Sequence, residues 1–308
     1  MSLLLGIAAI VWGTRLTLDN AVRIATHYQL SDFFIGVAIL AIGSDLPEIV
    51  VSVAAALHQL NGSEAANLIV GNALGSCLGQ FGLVMAIAGL LGQLSLPRTQ
   101  VLFHGGVLFG SMLLLALVGW SGDVNRIEGA VLVAVFASYL VLLVVNEGAL
   151  GKARDAVDGG MFRIWCWLLL GLVTVVVSAE VIVDTALQLA RAWGIDQSFI
   201  GIAIIGVGTS LPELMISIGA ALRARMALSV GNLIGSNILD VLLPIGIAAV
   251  IVPISFDPGL LRFDLVALLL LSLVVLGMLL KPRGIRRPQA LLILLCYLGY
   301  LLSFTQRL

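Results

Sequence analysis

The segment AIGSDLPEIVVSVA, residues 41–54, places acidic side chains and a proline inside an otherwise apolar stretch. Asp45 and Glu48 flank the proline, and carboxylates at this spacing could bind a cation, carry a proton or form a hydrolytic pair. A second segment, GVGTSLPELMISIG, residues 206–219, repeats the pattern and places Glu213 after its own proline. The sequence therefore contains two related acidic motifs, whose surroundings decide their chemistry.

The composition of the chain sets the environment of these motifs. Of the 308 residues, 60% are hydrophobic and only 11% are charged, and the mean hydropathy is +1.14. Such values are typical of polytopic membrane proteins. Because no long polar segment interrupts the chain, we expect no separate soluble catalytic or nucleic-acid-binding domain. The sequence predicts an integral protein of the cell inner membrane, surrounded by lipid.

Apolar stretches of about 20 residues, the length that crosses the hydrocarbon core, predict about ten spans. Lysine and arginine are concentrated in loops that would lie on one side, among them the charged loop GALGKARDAVDGG, residues 148–160. Because basic loops tend to stay in the cytoplasm, we predict that this loop is cytoplasmic. Both the N- and the C-terminus are then expected outside.

The chain also contains an internal repeat. Residues 19–57 align without gaps on residues 184–222, with about 16 of 39 positions identical. We therefore predict two halves, residues 1–150 and 151–308, of about five spans each. An odd number of spans makes the second half enter the membrane from the opposite side. The predicted fold is an all-α polytopic membrane protein with two inverted five-helix repeats, an arrangement typical of secondary transporters with a midplane site.

The repeated prolines predict helix breaks at membrane depth. Pro47 and Pro212 each remove a backbone donor and leave the carbonyl four residues earlier without its partner. In lipid such a carbonyl needs another partner, which a bound cation can provide. Glu48 and Glu213 directly follow the prolines, and a charge at this depth costs about 2.5 to 3.5 kcal/mol. A duplicated helical scaffold without a site would have no use for these charges.

Oxygen atoms dominate the polar side chains near the two glutamates, and the sequence places no histidine and no cysteine pair there. Hard oxygen ligands favour Ca²⁺, Mg²⁺ or Na⁺ over zinc or copper, and flexible sites of about six to eight oxygens suit Ca²⁺ better than Mg²⁺. The breaks and the third and eighth spans supply Ser44, Asp45, Asn72, Ser76, Gln80, Thr209, Ser210, Asn232, Ser236, Asn237 and Asp240.

Four glycines, Gly71, Gly75, Gly231 and Gly235, recur at a spacing of four in the third and eighth spans. Small residues at this spacing allow helices to approach each other closely. A phosphate-binding loop is less favoured, since no P-loop lysine follows the glycines. We therefore expect close helix packing at these positions.

Two pairs of motifs carry a resemblance to a known family. They are GSDLPE (43–48) with GNALGSCLGQ (71–80), and GTSLPE (208–213) with GNLIGSNILD (231–240). Over essentially its whole length the chain resembles the cation/Ca²⁺ exchanger superfamily, especially prokaryotic sodium/calcium exchangers. The resemblance implies ten spans and alternating access by sliding of the first and sixth spans against the remaining core.

The resemblance also implies the ligands. It makes Glu48 and Glu213 the central ligands of Ca²⁺ and Na⁺. Hydroxyls, a flanking polar pair and two backbone carbonyls complete the site: Ser44, Thr209, Ser210, Ser76, Ser236, Gln80, Asp240, Ala41 and Gly206. The second half fits the family pattern throughout. The first half has serine for threonine, aspartate for serine, cysteine for asparagine, and glutamine for asparagine or aspartate, at Ser44, Asp45, Cys77 and Gln80.

We therefore predict a secondary active antiporter, not an enzyme, that exchanges Ca²⁺ for Na⁺ by alternating access and needs no cofactor. Its expected partners are the two ions and lipid, with no nucleic acid, and a monomer is compatible with the sequence. A Ca²⁺/H⁺ or K⁺-coupled antiporter is the alternative, because repulsion between Asp45 and Glu48 favours binding of a proton. A channel, or an intramembrane aspartyl hydrolase using Asp45 and Asp240, is less favoured.

Asp45 and Arg15 both depart from the internal symmetry, since their repeat partners are Ser210 and Glu180. Asp45 could add negative charge to the cation site and serve as a further candidate ligand. The alternative, which we favour slightly less, is a buried ion pair with Arg15, as intramembrane charges commonly form. Both interpretations stay open at the level of the sequence.

Overall fold

The computed structural model of the chain describes residues 2–60, 66–147, 160–192 and 210–305, which are almost entirely helical. We number the helices in chain order: α1 (Ser2–Tyr28), α2 (Asp32–Ser44), α3 (Leu46–Leu60), α4 (Ala66–Leu91), α5 (Arg98–Val118), α6 (Arg126–Glu147), α7 (Met161–Ala192), α8 (Leu211–Leu222), α9 (Met226–Ile251), α10 (Leu260–Leu279) and α11 (Arg287–Thr305). Two short strands, β1 (Asp123–Val124) and β2 (Ile254–Ser255), pair antiparallel. The prediction of a helical membrane fold is confirmed.

Six of the described helices are long and apolar enough to cross a membrane, and a seventh span results if the bent pair α2 and α3 counts as one. Helices α4 and α9 form the interior, because 72% and 78% of their apolar windows are buried, against 39%, 28%, 39% and 44% for α5, α6, α7 and α10. Large side chains such as Leu117 and Leu302 are exposed on the outer helices, as contact with lipid requires. The count of about ten spans in two inverted repeats stays a prediction.

Close packing against α2 explains two glycines of the central helix α9. A Cβ atom on Gly231 would lie 2.5 Å from the carbonyl oxygen of Phe33, and one on Gly235 would lie 2.8 Å from the Cα of Val37. The packing interpretation is therefore confirmed for these two glycines. Around Gly71 and Gly75 of α4, no described atom comes within 4 Å of such a Cβ. Packing at this second pair stays a prediction.

Helices α1 and α7 run antiparallel along each other and also meet through glycines. A Cβ atom on Gly171 would lie 2.7 Å from the backbone nitrogen of Thr17, and one on Gly13 would lie 3.0 Å from the Cβ of Thr174. Small residues let the two backbones approach without intervening side chains. The first and sixth predicted spans thus form a closely packed pair.

A sharp bend separates α2 from α3 at the first acidic motif. The two helices differ in direction by 43°, and Asp45 between them has φ −83° and ψ 3°, outside the helical range. Pro47 lies two residues further, where its ring prevents a continuous helix. The predicted break is confirmed here. For the second motif, the described residues begin at Ser210, directly before α8.

Contacts between loops show which helix ends lie on the same side. Strands β1 and β2 join the α5–α6 loop to the α9–α10 loop, and the Gln59 amide at the end of α3 donates to the Pro253 carbonyl at 3.1 Å. On the other side, Leu94 bridges to Ile285 and joins the α4–α5 loop to the α10–α11 loop. Each contact joins loops that the sequence places on one side of the membrane. The orientation of the chain across the membrane stays a prediction.

Candidate functional site

Three carboxylates from the two acidic motifs meet inside the protein. Glu48 lies in the first turn of α3, Glu213 lies in the first turn of α8, and Asp45 lies at the bend before α3. Each residue offers a carboxylate oxygen, and these three oxygens lie within 4.8 Å of one another. All three side chains are buried. The arrangement could hold a metal ion, and the positive ends of α3 and α8 favour carboxylates at these positions.

The carboxylate cluster of Asp45, Glu48 and Glu213 lacks compensating partners among the described residues. In the described part of the chain, both oxygens of Glu48, both oxygens of Glu213 and Oδ2 of Asp45 are buried and make no hydrogen bond of good geometry. The two ion pairs in the described part of the chain, Arg223 with Asp19 and Arg225 with Asp32, lie outside the cluster. Buried charges without a partner are strongly unfavourable. Hard oxygens in this state fit a Ca²⁺ or Na⁺ ion, which would offset part of their negative charge.

Beside the cluster, an amide network links α4 to α9. The Gln80 side-chain nitrogen donates to Asp240 Oδ2 at 3.0 Å and to the Ser76 hydroxyl at 3.1 Å. Asn237 in turn donates to Gln80 Oε1 at 2.8 Å. Gln80 begins a π-helical turn within α4, Gln80–Val84, which widens the helix at this point. The flanking polar pair of the sequence analysis, Gln80 and Asp240, is thus in direct contact.

Hydroxyl groups connect the motifs of the two halves. The Ser236 hydroxyl donates to Asp45 Oδ1 at 2.9 Å, and the hydroxyls of Ser76 and Ser210 lie 3.3 Å apart. The Ser44 hydroxyl donates to the carbonyl of Ala41 at 3.3 Å. That carbonyl also accepts the backbone N–H of Asp45 at 3.0 Å, so its lone pairs are already engaged within α2. The predicted positions Thr209 and Gly206 lie outside the described residues.

The structure decides between the two interpretations of Asp45. Arg15 is exposed on the surface of α1, whereas Asp45 is fully buried and hydrogen-bonded to Ser236. In the described structure, the Arg223 side chain donates to the backbone carbonyl of Arg15 at 3.5 Å. The two ion pairs found there do not include Arg15. The hypothesis of a buried pair between Arg15 and Asp45 is therefore wrong. Asp45 faces the acidic cluster instead.

Two buried serines near the glutamates were missed in the sequence analysis. Ser52 and Ser217 lie one helical turn after Glu48 and Glu213 and are identical across the repeat. Ser217 accepts a hydrogen bond from the Asn232 amide at 3.1 Å. In the first half, by contrast, the Ser52 hydroxyl and the repeat-related amide nitrogen of Asn72 have no hydrogen-bond partner in the described structure. A polar residue four positions after each glutamate was the signal that could have identified them.

The chain is similar to known proteins over most of its length. The family described as sodium/calcium exchanger protein matches residues 1–145 and 163–306. A solved structure of the sodium-calcium exchanger NCX_Mj, soaked with 10 mM Na⁺ and zero Ca²⁺, has a TM-score of 0.83 at 30% identity and covers 98% of this chain and 97% of its own. A second, soaked with 2.5 mM Na⁺ and 10 mM Sr²⁺, has a TM-score of 0.84 with the same identity and coverage.

Three relatives are similar to this chain in sequence. An uncharacterized membrane protein of Methanocaldococcus jannaschii is 33% identical over 243 residues, which are 77% of each chain. The putative antiporter CaxA of Alkalimonas amylolytica is 30% identical over 96% of this chain and 95% of its own. The sodium/calcium exchanger MaX1 of Methanosarcina acetivorans is 25% identical over 97% of this chain and 96% of its own.

Proposed function

The chain belongs to the sodium/calcium exchanger family, and from this premise we propose that it is a secondary active antiporter that exchanges Ca²⁺ for Na⁺. The observation that carries the proposal is the buried cluster of Asp45, Glu48 and Glu213. One oxygen of each residue lies within 4.8 Å of the other two, and most of the carboxylate oxygens have no partner among the described residues. In the proposal this cluster is the midplane cation site. Ser76, Ser210, Ser236, Gln80 and Asp240 surround it.

Exchange follows from the electrostatics of such a site. An unloaded cluster carries several negative charges in the membrane interior, so its passage from one side to the other is unfavourable. Ca²⁺ or Na⁺ ions bound to the same oxygens reduce this penalty by offsetting the negative charge. A site that crosses only when loaded must carry ions in both directions. Coupled exchange, rather than free leakage, is the expected result.

The proposed architecture is two inverted five-span repeats, residues 1–150 and 151–308, with alternating access at their interface. Glu48 with Glu213, and Ser52 with Ser217, occupy equivalent positions in the repeated segments, which supports this arrangement. The closely packed pair of α1 and α7 is the proposed moving unit. The similar NCX_Mj structures were soaked with Na⁺ together with Ca²⁺ or Sr²⁺, which supports Na⁺ and Ca²⁺ as the transported ions.

Flux measurements in proteoliposomes test the proposal. Purified protein is reconstituted, and Ca²⁺ uptake is followed with an outward gradient of Na⁺, K⁺ or H⁺ imposed separately. We expect rapid uptake with the Na⁺ gradient and only background uptake in protein-free liposomes. If the H⁺ or K⁺ gradient drives uptake and the Na⁺ gradient does not, the coupling ion is H⁺ or K⁺ instead of Na⁺. Ca²⁺ flux without any counter-ion, at rates above those of exchangers, would show a channel and contradict the proposal.

A further inference from the structure

We propose that Asp45 is a third carboxylate ligand of the transported divalent cation and gives this chain a stronger preference for divalent over monovalent ions. The inference rests on the proposed function, which places the cation among the same oxygens. The two halves of the chain differ at this position: the first half has the acidic Asp45, whereas its repeat partner in the second half is the neutral Ser210.

The position of the Asp45 carboxylate fits direct coordination. One of its oxygens lies within 4.8 Å of oxygens from both Glu48 and Glu213. Oxygens on opposite sides of one Ca²⁺ ion, each at about 2.3 to 2.6 Å, are roughly 4.6 to 5.2 Å apart. The three carboxylates can therefore share one ion with little movement. Asp45 is fully buried, and its Oδ2 has no hydrogen-bond partner among the described residues.

Ser236 fixes the orientation of this carboxylate. Its hydroxyl, on α9, donates to Asp45 Oδ1 at 2.9 Å. One oxygen is thus held by the protein, which leaves the other available to a ligand. Asp45 also lies at the bend between α2 and α3.

Asp240 is differently engaged. Its Oδ2 accepts the Gln80 amide at 3.0 Å, and Asn237 holds Gln80 in place at 2.8 Å. Asp240 is not part of the described group of carboxylates within 4.8 Å of one another. Gln80, the repeat partner of Asp240, is neutral. The first half therefore carries its extra acid at the bend, whereas the second half carries it on α9.

The extra carboxylate affects the two ions unequally. Coulomb attraction to a fixed negative charge is twice as strong for a divalent as for a monovalent cation at the same distance. Removal of the Asp45 charge should therefore weaken Ca²⁺ binding more than Na⁺ binding. A residue with a purely structural role would weaken both ions alike through loss of the fold.

Equilibrium binding of radioactive Ca²⁺ to the purified full-length protein, with and without competing Na⁺, tests the inference. We expect Asp45→Asn, which keeps the Ser236 acceptor, to weaken Ca²⁺ binding roughly tenfold or more and Na⁺ competition by less than about threefold. Asp240→Asn is the matched control and should reduce Ca²⁺ binding less than Asp45→Asn. Ca²⁺ affinity within about twofold of wild type in Asp45→Asn, or equal weakening of both ions, would overturn the inference.

A second variant protects the test against misfolding. Asp45→Ser introduces the residue that the second half carries at the equivalent position, and its thermal unfolding without Ca²⁺ reports on the fold. We expect it to fold and to show the same selective loss of Ca²⁺ affinity. Failure of the proposed function would appear separately, as wild-type protein that binds Ca²⁺ but shows no Na⁺-driven Ca²⁺ uptake in liposomes.

Discussion

At the scale of single residues, Glu48 and Glu213 face the same situation in the two halves of the chain. Both are buried in the first turn of a helix, and neither carboxylate accepts a hydrogen bond in the described structure. An ordinary structural carboxylate in a protein interior is paired or hydrogen-bonded. In the proposed function, the transported cation is the missing partner. The two glutamates are therefore the first residues to test.

We predict that Glu48→Gln or Glu213→Gln reduces Na⁺-driven Ca²⁺ uptake by at least roughly tenfold, because each removes a charged oxygen ligand. The glutamine side chain keeps the shape of the residue, so the protein should still insert and fold. Isotope uptake into proteoliposomes measures the effect. Glu128→Gln on α6 is the control, since Glu128 accepts the Asn125 backbone N–H at 2.8 Å and a glutamine there can keep this cap.

Ca²⁺-dependent stability provides a readout that does not need transport. A ligand at about one hundred times its dissociation constant stabilises the folded state by about 2.7 kcal/mol. Added Ca²⁺ should therefore raise the melting temperature of the wild type and of Glu128→Gln. The same addition should leave Glu48→Gln and Glu213→Gln nearly unchanged. A normal Ca²⁺-dependent rise in either glutamate variant would remove that residue from the site.

At the scale of helices, a hydrogen bond in the second half of the chain has no counterpart among the described residues of the first half. Asn232 on α9 donates to Ser217 on α8 at 3.1 Å, whereas the equivalent groups, the Asn72 amide nitrogen and the Ser52 hydroxyl, are without a partner among the described residues. Two copies of one sequence segment thus hold the same polar pair in different states. The two halves are therefore not equivalent in their local hydrogen bonding.

We predict that Ser217→Ala destabilises the protein by roughly 1 kcal/mol, because it leaves the buried Asn232 amide without its acceptor. Ser52→Ala is the matched control and should cost less, since its hydroxyl makes no described hydrogen bond. Thermal unfolding in detergent without Ca²⁺ compares the two. Equal losses of stability would show that the difference between the halves has no energetic consequence.

The contact between α2 and α9 depends on the absence of a side chain at Gly231. A methyl group there would lie 2.5 Å from the Phe33 carbonyl oxygen, and this backbone atom cannot move without displacing α2. Gly231→Ala should therefore destabilise the protein by about 1 to 3 kcal/mol, as overpacking commonly does. Gly106→Ala on the exposed face of α5, where no described atom lies within 4 Å, should leave the melting temperature nearly unchanged.

At the scale of the whole molecule, loop contacts group the helix ends into two sides, and the distribution of basic residues assigns the cytoplasm to one of them. We predict that both termini lie outside and that the loop of residues 148–160 is cytoplasmic. Ala156→Cys should then react with a membrane-impermeant reagent only after cells are permeabilised. Ser121→Cys, in the loop between α5 and α6, should react in intact cells.

The labelling needs a suitable background. Cys166 and Cys296 are exposed on the protein surface, whereas Cys77 is buried, so the first two are replaced by serine before the new cysteines are introduced. Labelling of Ala156→Cys in intact cells, with protection of Ser121→Cys, would invert the predicted orientation. Because the contacts between loops would be the same in either orientation, that outcome would leave the fold unchanged.

The sequence by itself determined the membrane environment, the helical class, the first break and the candidate acids. These features depend on local properties: apolar length, the missing donor of Pro47, and the repetition of a short motif around Glu48 and Glu213. Each can be read within a few tens of residues, because helix formation and burial in lipid follow from composition and periodicity. The ten-span count and the inverted topology stay predictions from the same signals.

Only the tertiary structure decided which side chains meet. Asp45 contacts Ser236, 191 residues away, and not Arg15, while Gln80 contacts Asp240, 160 residues away. It also decided that Gly231 packs against α2, and that Ser217 has a hydrogen-bond partner while Ser52 has none among the described residues. Such contacts depend on the rotation and register of one helix against another, which close packing of many side chains sets together. The sequence supplies every residue that takes part in these contacts, but no local pattern in it shows which residues meet.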